Sequence, residues 1–349
     1  MSLKFLAVCD GKFGPISSKT ANGAIRFTPE RVAAVLDTTC QQKTAGEVLG
    51  YGGDIPVVHS FADGLAAGAN ALLIGIAPQG GGLPPSWRGW IREAIERKME
   101  IWSGLHFFIS DDPEFAALAA THGTVIRDLR KPPADLPVST GRVREVASTV
   151  ILTVGSDCNM GKMTSQLELR NILKRRGRSV AFAGTGQTGV LIEGWGIAVD
   201  AVIADFVGGA AERLTLDAAA AGDIVLVEGQ GSIIHPGYSG VTFGLIHGSL
   251  PHAFILCHQP SRTSIDNNPW VKIPPLKELV RMHEDVVKHL RPAPVIGICL
   301  NTFDLSEADA RAAIARAQDE TGLPATDPVR FGGDNVADAI ERFHTTRPR

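Results

Sequence analysis

"TVGSDCNMGKMTSQLELR", residues 153–170, places a lysine directly behind a glycine at what reads as a strand-to-helix turn. The usual phosphate-binding loop is G-x-x-x-x-G-K-[ST]. Here Gly161-Lys162 is followed by Met163, and the hydroxyl arrives one residue late, at Thr164. The first glycine is displaced as well: Ser156 stands where it is expected, and Gly155 precedes it. The apolar run "STVILTVG" (148–155) leads in as a buried strand. Beyond Lys162, Leu169, Ile172 and Leu173 fall at helical spacing, Lys174-Arg175-Arg176 follow, and Gly177 stops the helix. Backbone N–H groups and the positive end of a helix dipole converge on an anion in such a turn. Lys162 adds a point charge within reach of the same phosphates.

Outward from this loop the chain alternates short apolar runs with helical patterns. Before it come "KFLAVCD" (4–10), "RVAAVLD" (31–37), "IPVVHS" (55–60), "ANALLIGIA" (69–77), "MEIWSGL" (99–105) and "TVIRDL" (124–129). After it come "SVAFAG" (179–184), "DAVIAD" (200–205), "DIVLVEG" (223–229), "AFILCH" (253–258) and "PVIGICLN" (294–301). Each is read as a buried strand, and "PSWRGWIREAIERKM" (85–99) as a helix. The alternation predicts α/β architecture with parallel sheets and right-handed crossovers. The proline-rich "KPPADLPVSTG" (131–141) reads as a linker or strap. Two domains are expected: a Rossmann-like one over 1–135 and a P-loop domain over 136–349. The glycine-rich "APQGGGLPP" (77–85) is not G-x-G-x-x-G, so a plain turn is expected there.

The chain has 349 residues, 44% of them hydrophobic and 20% charged, with a net charge of −3. That charge gives no case for nucleic acid. No apolar stretch approaches a membrane span, and the N-terminus lacks the basic start of a secretory signal. Five scattered cysteines without a C-x-x-C pair point to a reducing, cytoplasmic setting. They and the histidines lack metal-ligand spacing, so no metal is expected.

"GSDCNMGK" has the G-x-D-x-x-x-G-K spacing of dethiobiotin synthetase-like P-loop proteins. "DIVLVEGQGS" (223–232) is similar to their acidic strand end, and "PVIGICLN" to their late strand ending in an Asn that meets adenine. A narrower match runs through "GSDCNMGKMT", "GTGQTGVLIEGWGIAVDAVIADFVGGAAE" (184–212), "VEGQGSIIHPGYSGVTFGLIHGS" (227–249), "LCHQPSR" (256–262) and "DPVRFGGDN" (327–335). Together these resemble a family long known only as a domain of unknown function, with members described as D-glutamate N-acetyltransferases of the DgcN type. The resemblance implies transfer of the acetyl group of acetyl-CoA to the amine of an amino acid, D-glutamate, giving N-acetyl-D-glutamate.

Acetyl-CoA carries a pyrophosphate, a 3′-phosphate and an adenine, so a P-loop can hold it without ATP. The donor is expected on Gly155, Ser156, Asp157, Cys158, Asn159, Met160, Gly161, Lys162, Met163 and Thr164, with Asn301 at the adenine. Met163 stands where NTPases place the Mg²⁺ hydroxyl, and a thioether is a poor ligand for a hard cation. Acetyl transfer to an amine needs a base and oxyanion donors. Glu228 and Asp205, read at the C-terminal ends of parallel strands, are the candidate bases, with His235 next; Asp157 is a third carboxylate aimed at the same crevice. Gln187, Thr188, Gln230, Ser232, Tyr238 and Arg262 are expected to line the amino-acid substrate, Arg262 as a carboxylate clamp. Cys158 at a helix N-terminus invites a covalent route, but no histidine partner can be named from sequence.

Two other readings stay open on the residues alone. One is an ATP/Mg²⁺-dependent ligase or small-molecule kinase using Lys162, Thr164 and Glu228. The other is a non-catalytic nucleotide sensor. The expected partners are a small-molecule amino acid and further copies of the chain in a homo-oligomer, with neither nucleic acid nor membrane.

Overall fold

The computed structural model describes residues 2–76 and 82–347. Most of the glycine-rich stretch at 77–85 therefore lies outside the described residues. The chain divides into two compact units, Met1–Pro132 with Val190–Ala201, and Pro133–Gly189 with Val202–Arg349.

The first unit is built on β1 (Phe5–Val8), β2 (Val32–Leu36), β3 (Val57–Val58), β4 (Ala71–Ile74), β5 (Glu100–Ser103) and β6 (Ile126–Asp128). They form one parallel sheet in the order β3-β2-β1-β4-β5-β6, the doubly wound arrangement of Rossmann folds. Side chains alternate across a strand, so continuous apolar runs bury both faces. Leu6 and Val8 join one core with Leu72, Ile74, Trp87 and Ile91. Phe5, Ala7 and Cys9 join the opposite one with Ala24, Ile25 and Leu73. Leu191, from the segment between the two halves of the second unit, completes the latter core, and its carbonyl accepts from Arg31 Nη1 at 3.0 Å. Asp37, just after β2, accepts from the backbone N–H of Gly11 (3.0 Å), Phe13 (2.9 Å) and Thr39 (2.9 Å). Its carboxylate thus occupies the turn where a dinucleotide fold would receive its ligand's ribose.

The second unit holds β7 (Thr149–Gly155), β8 (Val180–Ala183), β9 (Ile224–Val227), β10 (Ala253–His258), the antiparallel hairpin β11 (Ser264–Ile265) and β12 (Asn268–Lys272), β13 (Val295–Leu300) and β14 (Ala325–Thr326). Its main sheet is parallel, ordered β14-β13-β10-β7-β9-β8. All seven residues of β7 are buried. Gln166, from the helix Lys162–Arg175, donates through Nε2 to the carbonyls of Ile151 and Val227, both at 3.1 Å, and ties that helix to the two central strands.

The proline-rich strap is fixed by one buried carboxylate. Glu212, on the helix Ala204–Ala219, accepts from Ser139 Oγ at 3.0 Å, Thr140 Oγ1 at 3.0 Å and Arg142 N at 3.1 Å. Burial pushes this carboxyl up, but the donors of Ser139, Thr140 and Gly141 outweigh it and hold it below the usual carboxylate range. A Cβ on Gly209 of that helix would collide with the Pro137 carbonyl, so the strap lies directly on its backbone.

One strand expectation fails. Residues 200–205 form no strand; a 3-10 turn at Val199–Ala201 runs into the helix Ala204–Ala219. The apolar "VIA" is a connection, with Ile203 72% exposed. Among the described residues, no helix is long and apolar enough to cross a membrane.

Candidate functional site

The sheet order brings the C-terminal ends of β8, β9, β7, β10 and β13 side by side, the edge where open α/β sheets bind ligands. From β7 the loop 156–161 turns into the helix Lys162–Arg175. Asn159 and Gly161 adopt left-handed backbone, φ 58° and 91°. Such turns let successive N–H groups form an anion-binding concavity, and the helix dipole adds about half a positive charge at its mouth. Lys162 is buried and donates to the Asp157 carbonyl at 2.7 Å. Met163 and Thr164 are the second and third residues of the helix, so Thr164 lies about 100° further round than the usual hydroxyl. Met160 is buried.

Asp157 is fully buried, and its carboxylate is committed to the loop. Oδ1 accepts from Cys158 N at 2.6 Å, and Oδ2 from Asp266 N at 2.8 Å and Arg262 Nη1 at 2.9 Å. Arg262 also donates to the Cys158 carbonyl at 3.1 Å and to Gln259 Oε1 at 3.3 Å. Arg262, expected as a substrate clamp, thus stands between Asp157, the Cys158 carbonyl and Gln259.

Glu228 follows β9, beside β7, and is 3% exposed. Its Oε2 accepts from Thr185 N at 2.9 Å and Gly186 N at 3.1 Å, while its carbonyl accepts from Thr185 Oγ1 at 2.7 Å. Side chains at Gly186 or Gly189 would press on this carboxylate or on Gln230, which explains glycines in "GTGQTG". Asp205 differs from its expected setting: it lies exposed in the first turn of the helix Ala204–Ala219, not at a strand end. The misassigned strand is the reason.

The remaining candidates surround the same edge. Gln230 Nε2 donates to Thr185 Oγ1 at 3.2 Å, and Ser232, fully buried, donates to the Ser156 carbonyl at 3.2 Å. Gln187 and Thr188 are buried at the start of the helix Gln187–Glu193, and the Thr188 hydroxyl has no hydrogen-bond partner among the described residues. Asn301 follows β13, its N–H donates to the His258 carbonyl at 2.8 Å, and its Cβ lies 3.9 Å from where a Gly161 Cβ would stand. Phe303, two residues on, is 64% exposed at the same strand end.

Two contacts escaped the sequence. Ser156 Oγ lies 2.9 Å from His258 Nδ1, and burial lowers that imidazole to about 4. A histidine ending a strand was the only signal. Cys158 is partly exposed, and one ligand-type atom each of Asp157, Cys158 and His235 lie within 4.8 Å of one another. His235 is 6% exposed, its Nδ1 accepts from Gly237 N at 3.0 Å, and its ring stands 4.6 Å from that of Tyr238. With Nδ1 an acceptor, the ring proton sits on Nε2.

Residues 137–337 match the family description "Domain of unknown function (DUF1611_C) P-loop domain", and residues 38–132 match "Domain of unknown function (DUF1611_N) Rossmann-like domain". The chain is 40% identical over 279 residues to a protein of Tritonibacter scottomollicae named D-glutamate N-acetyltransferase, covering 79% of this chain and 82% of that one. A protein of a Pseudoalteromonas species with the same name is 37% identical over 278 residues, covering 79% and 83%. A crystal structure of a DUF1611 family protein from Anabaena variabilis superposes with a TM-score of 0.92 at 39% identity, over 97% of this chain and 99% of that one. Both the family match and the shared architecture lead to one conclusion: the chain belongs to the DUF1611 family, with its Rossmann-like domain followed by its P-loop domain.

Proposed function

We propose that this chain transfers the acetyl group of acetyl-CoA to the amine of D-glutamate, giving N-acetyl-D-glutamate. Relatives at 37% and 40% identity bear that activity in their names. The observation that favours acetyl-CoA over ATP–Mg²⁺ is Met163, which stands in the helix position next to Lys162 where a phosphate-transferring enzyme needs a hydroxyl. The CoA phosphates would sit on loop 155–164, with Lys162 and the loop amides as donors and Asn301 beside the adenine. The pantetheine arm then runs across the strand ends towards Glu228. We assign Glu228 as the base that takes the proton of the attacking amine, because its buried carboxylate follows the strand beside the loop strand, whereas the buried Asp157 carboxylate is ion-paired with Arg262. Thr188 and Gln230 would contact the amino acid. Five scattered cysteines without a C-x-x-C pair support a cytoplasmic setting.

The test is product formation from acetyl-CoA and D-glutamate by wild type and Glu228→Gln. The amide keeps the shape and removes the proton acceptor, so the rate should fall by about 10²–10⁴ with acetyl-CoA binding retained. Wild type that makes no acetylated product, or that needs ATP to do so, would refute the activity. Near-normal turnover of Glu228→Gln would remove only the base.

A further inference from the structure

We propose that Phe303 stacks its ring on the adenine of acetyl-CoA, with Val329 as a second apolar contact to the same base. This rests on the acetyltransferase reading above and deepens it, by assigning side chains that hold the nucleotide end of the donor.

β13 and β14 are parallel neighbours, so their C-terminal ends open on the same sheet edge as the phosphate loop. One buried carboxylate locks the turns that leave them. Asp327, 2% exposed, accepts through Oδ2 from Thr302 N at 3.0 Å and Thr302 Oγ1 at 2.6 Å. Through Oδ1 it accepts from Val329 N at 2.9 Å and Arg330 N at 3.1 Å. Arg330 Nη1 then donates back to the carbonyls of Thr302 at 2.6 Å and Leu305 at 2.9 Å. Asp304, on the other side of Phe303, accepts from Gln259 Nε2 at 3.0 Å. Both neighbours of Phe303 are therefore tied down, while Phe303 itself is 64% exposed and Val329 46%.

Single exposed apolar side chains are ordinary on a protein surface. These two differ in their place. They leave adjacent strands, on turns that share one carboxylate, at the edge where the phosphate loop lies. Asn301, two residues before Phe303, brings that strand end against the loop, its Cβ 3.9 Å from where a Gly161 Cβ would stand. A ligand with its phosphates on the loop has its base one ribose away from them. The flat face of an adenine suits an aromatic ring, which binds it by stacking and by removing apolar area from water. A turn already fixed before binding spares the cost of ordering it. Asn301 can then pair with the edge of the base while Phe303 takes its face.

The test is titration with CoA and with adenosine 3′,5′-bisphosphate, which keeps the nucleotide and lacks the pantetheine arm. Phe303→Ala should weaken both alike, by about 5–100-fold, the range for loss of one base–aromatic stack. Phe303→Trp should restore both. In turnover, the KM for acetyl-CoA should rise by the same factor with kcat unchanged, because a contact made equally before and during the reaction affects KM alone. The KM for D-glutamate and the melting temperature should hold. Val329→Ser should lose a smaller factor, and wild-type affinity there would remove Val329 from the proposal. A Phe303→Ala protein that binds both ligands like wild type overturns the stacking. So does a loss seen with CoA but not with the bisphosphate, or one that Phe303→Trp and Phe303→Tyr both fail to restore. A wild type that makes no acetylated product refutes the activity instead, and the titrations, which need no turnover, still decide the stacking.

Discussion

Arg262 Nη1 stands 2.9 Å from Asp157 Oδ2, across 105 residues of sequence. The carboxylate is fully buried, so loss of its cation leaves a costly unpaired charge. Arg262→Ala should lower stability by about 1–3 kcal/mol and raise the KM for acetyl-CoA. A change confined to the KM for D-glutamate, with stability unaltered, would instead restore Arg262 as a substrate clamp.

Lys162 supplies the loop's own point charge. Lys162→Ala should weaken acetyl-CoA binding by roughly 1.5–3 kcal/mol, the scale of a charge-assisted hydrogen bond. Calorimetric titration of the folded variant measures it, and equal affinity would show that the phosphates sit elsewhere.

Divalent metal should not be needed, because Met163 replaces the Mg²⁺ hydroxyl and Thr164 is rotated off its place. Activity measured after chelation with EDTA is expected to match the untreated rate. Loss of activity that Mg²⁺ restores would favour the ATP-dependent reading.

Acid should destabilise the protein earlier than its carboxylates alone would dictate. Burial lowers His258 and His283 to about 4 and His252 to about 3, from 6.5. The unfolded chain therefore binds more protons than the folded one between pH 6.5 and those values, so stability falls as pH falls through that window. Above it these groups contribute no slope. Melting temperatures recorded from pH 7.5 down to 5 isolate the histidines, since the depressed carboxyls of Glu212 and Asp37 act only lower. His258→Gln should flatten part of the slope; a melting temperature that holds level or rises on acidification contradicts the assignment.

Much of this was legible in the sequence, and for physical reasons. Parallel strands are buried on both faces, so they read as short apolar runs, and eleven of the runs quoted above contain strands of the two sheets. "DAVIAD" has the same texture but lies in a connection, and nothing local separates the two. That confusion carried Asp205 to a sheet edge it does not occupy. The phosphate loop was legible because its spacing is local. Partners such as Ser156 with His258, Arg262 with Asp157 and Cys158 with His235 were not, since sheet order alone makes them neighbours.

Gly229, the residue after Glu228, donates from its N–H to Thr153 Oγ1 at 2.9 Å, and any Cβ there would overlap the Thr153 carbonyl. In a library of all single substitutions, position 229 would therefore stand out as intolerant even of alanine, on packing grounds. Glu228 would tolerate glutamine for folding yet fail in the assay. Adjacent columns of such a map would then separate what the fold demands from what the reaction demands.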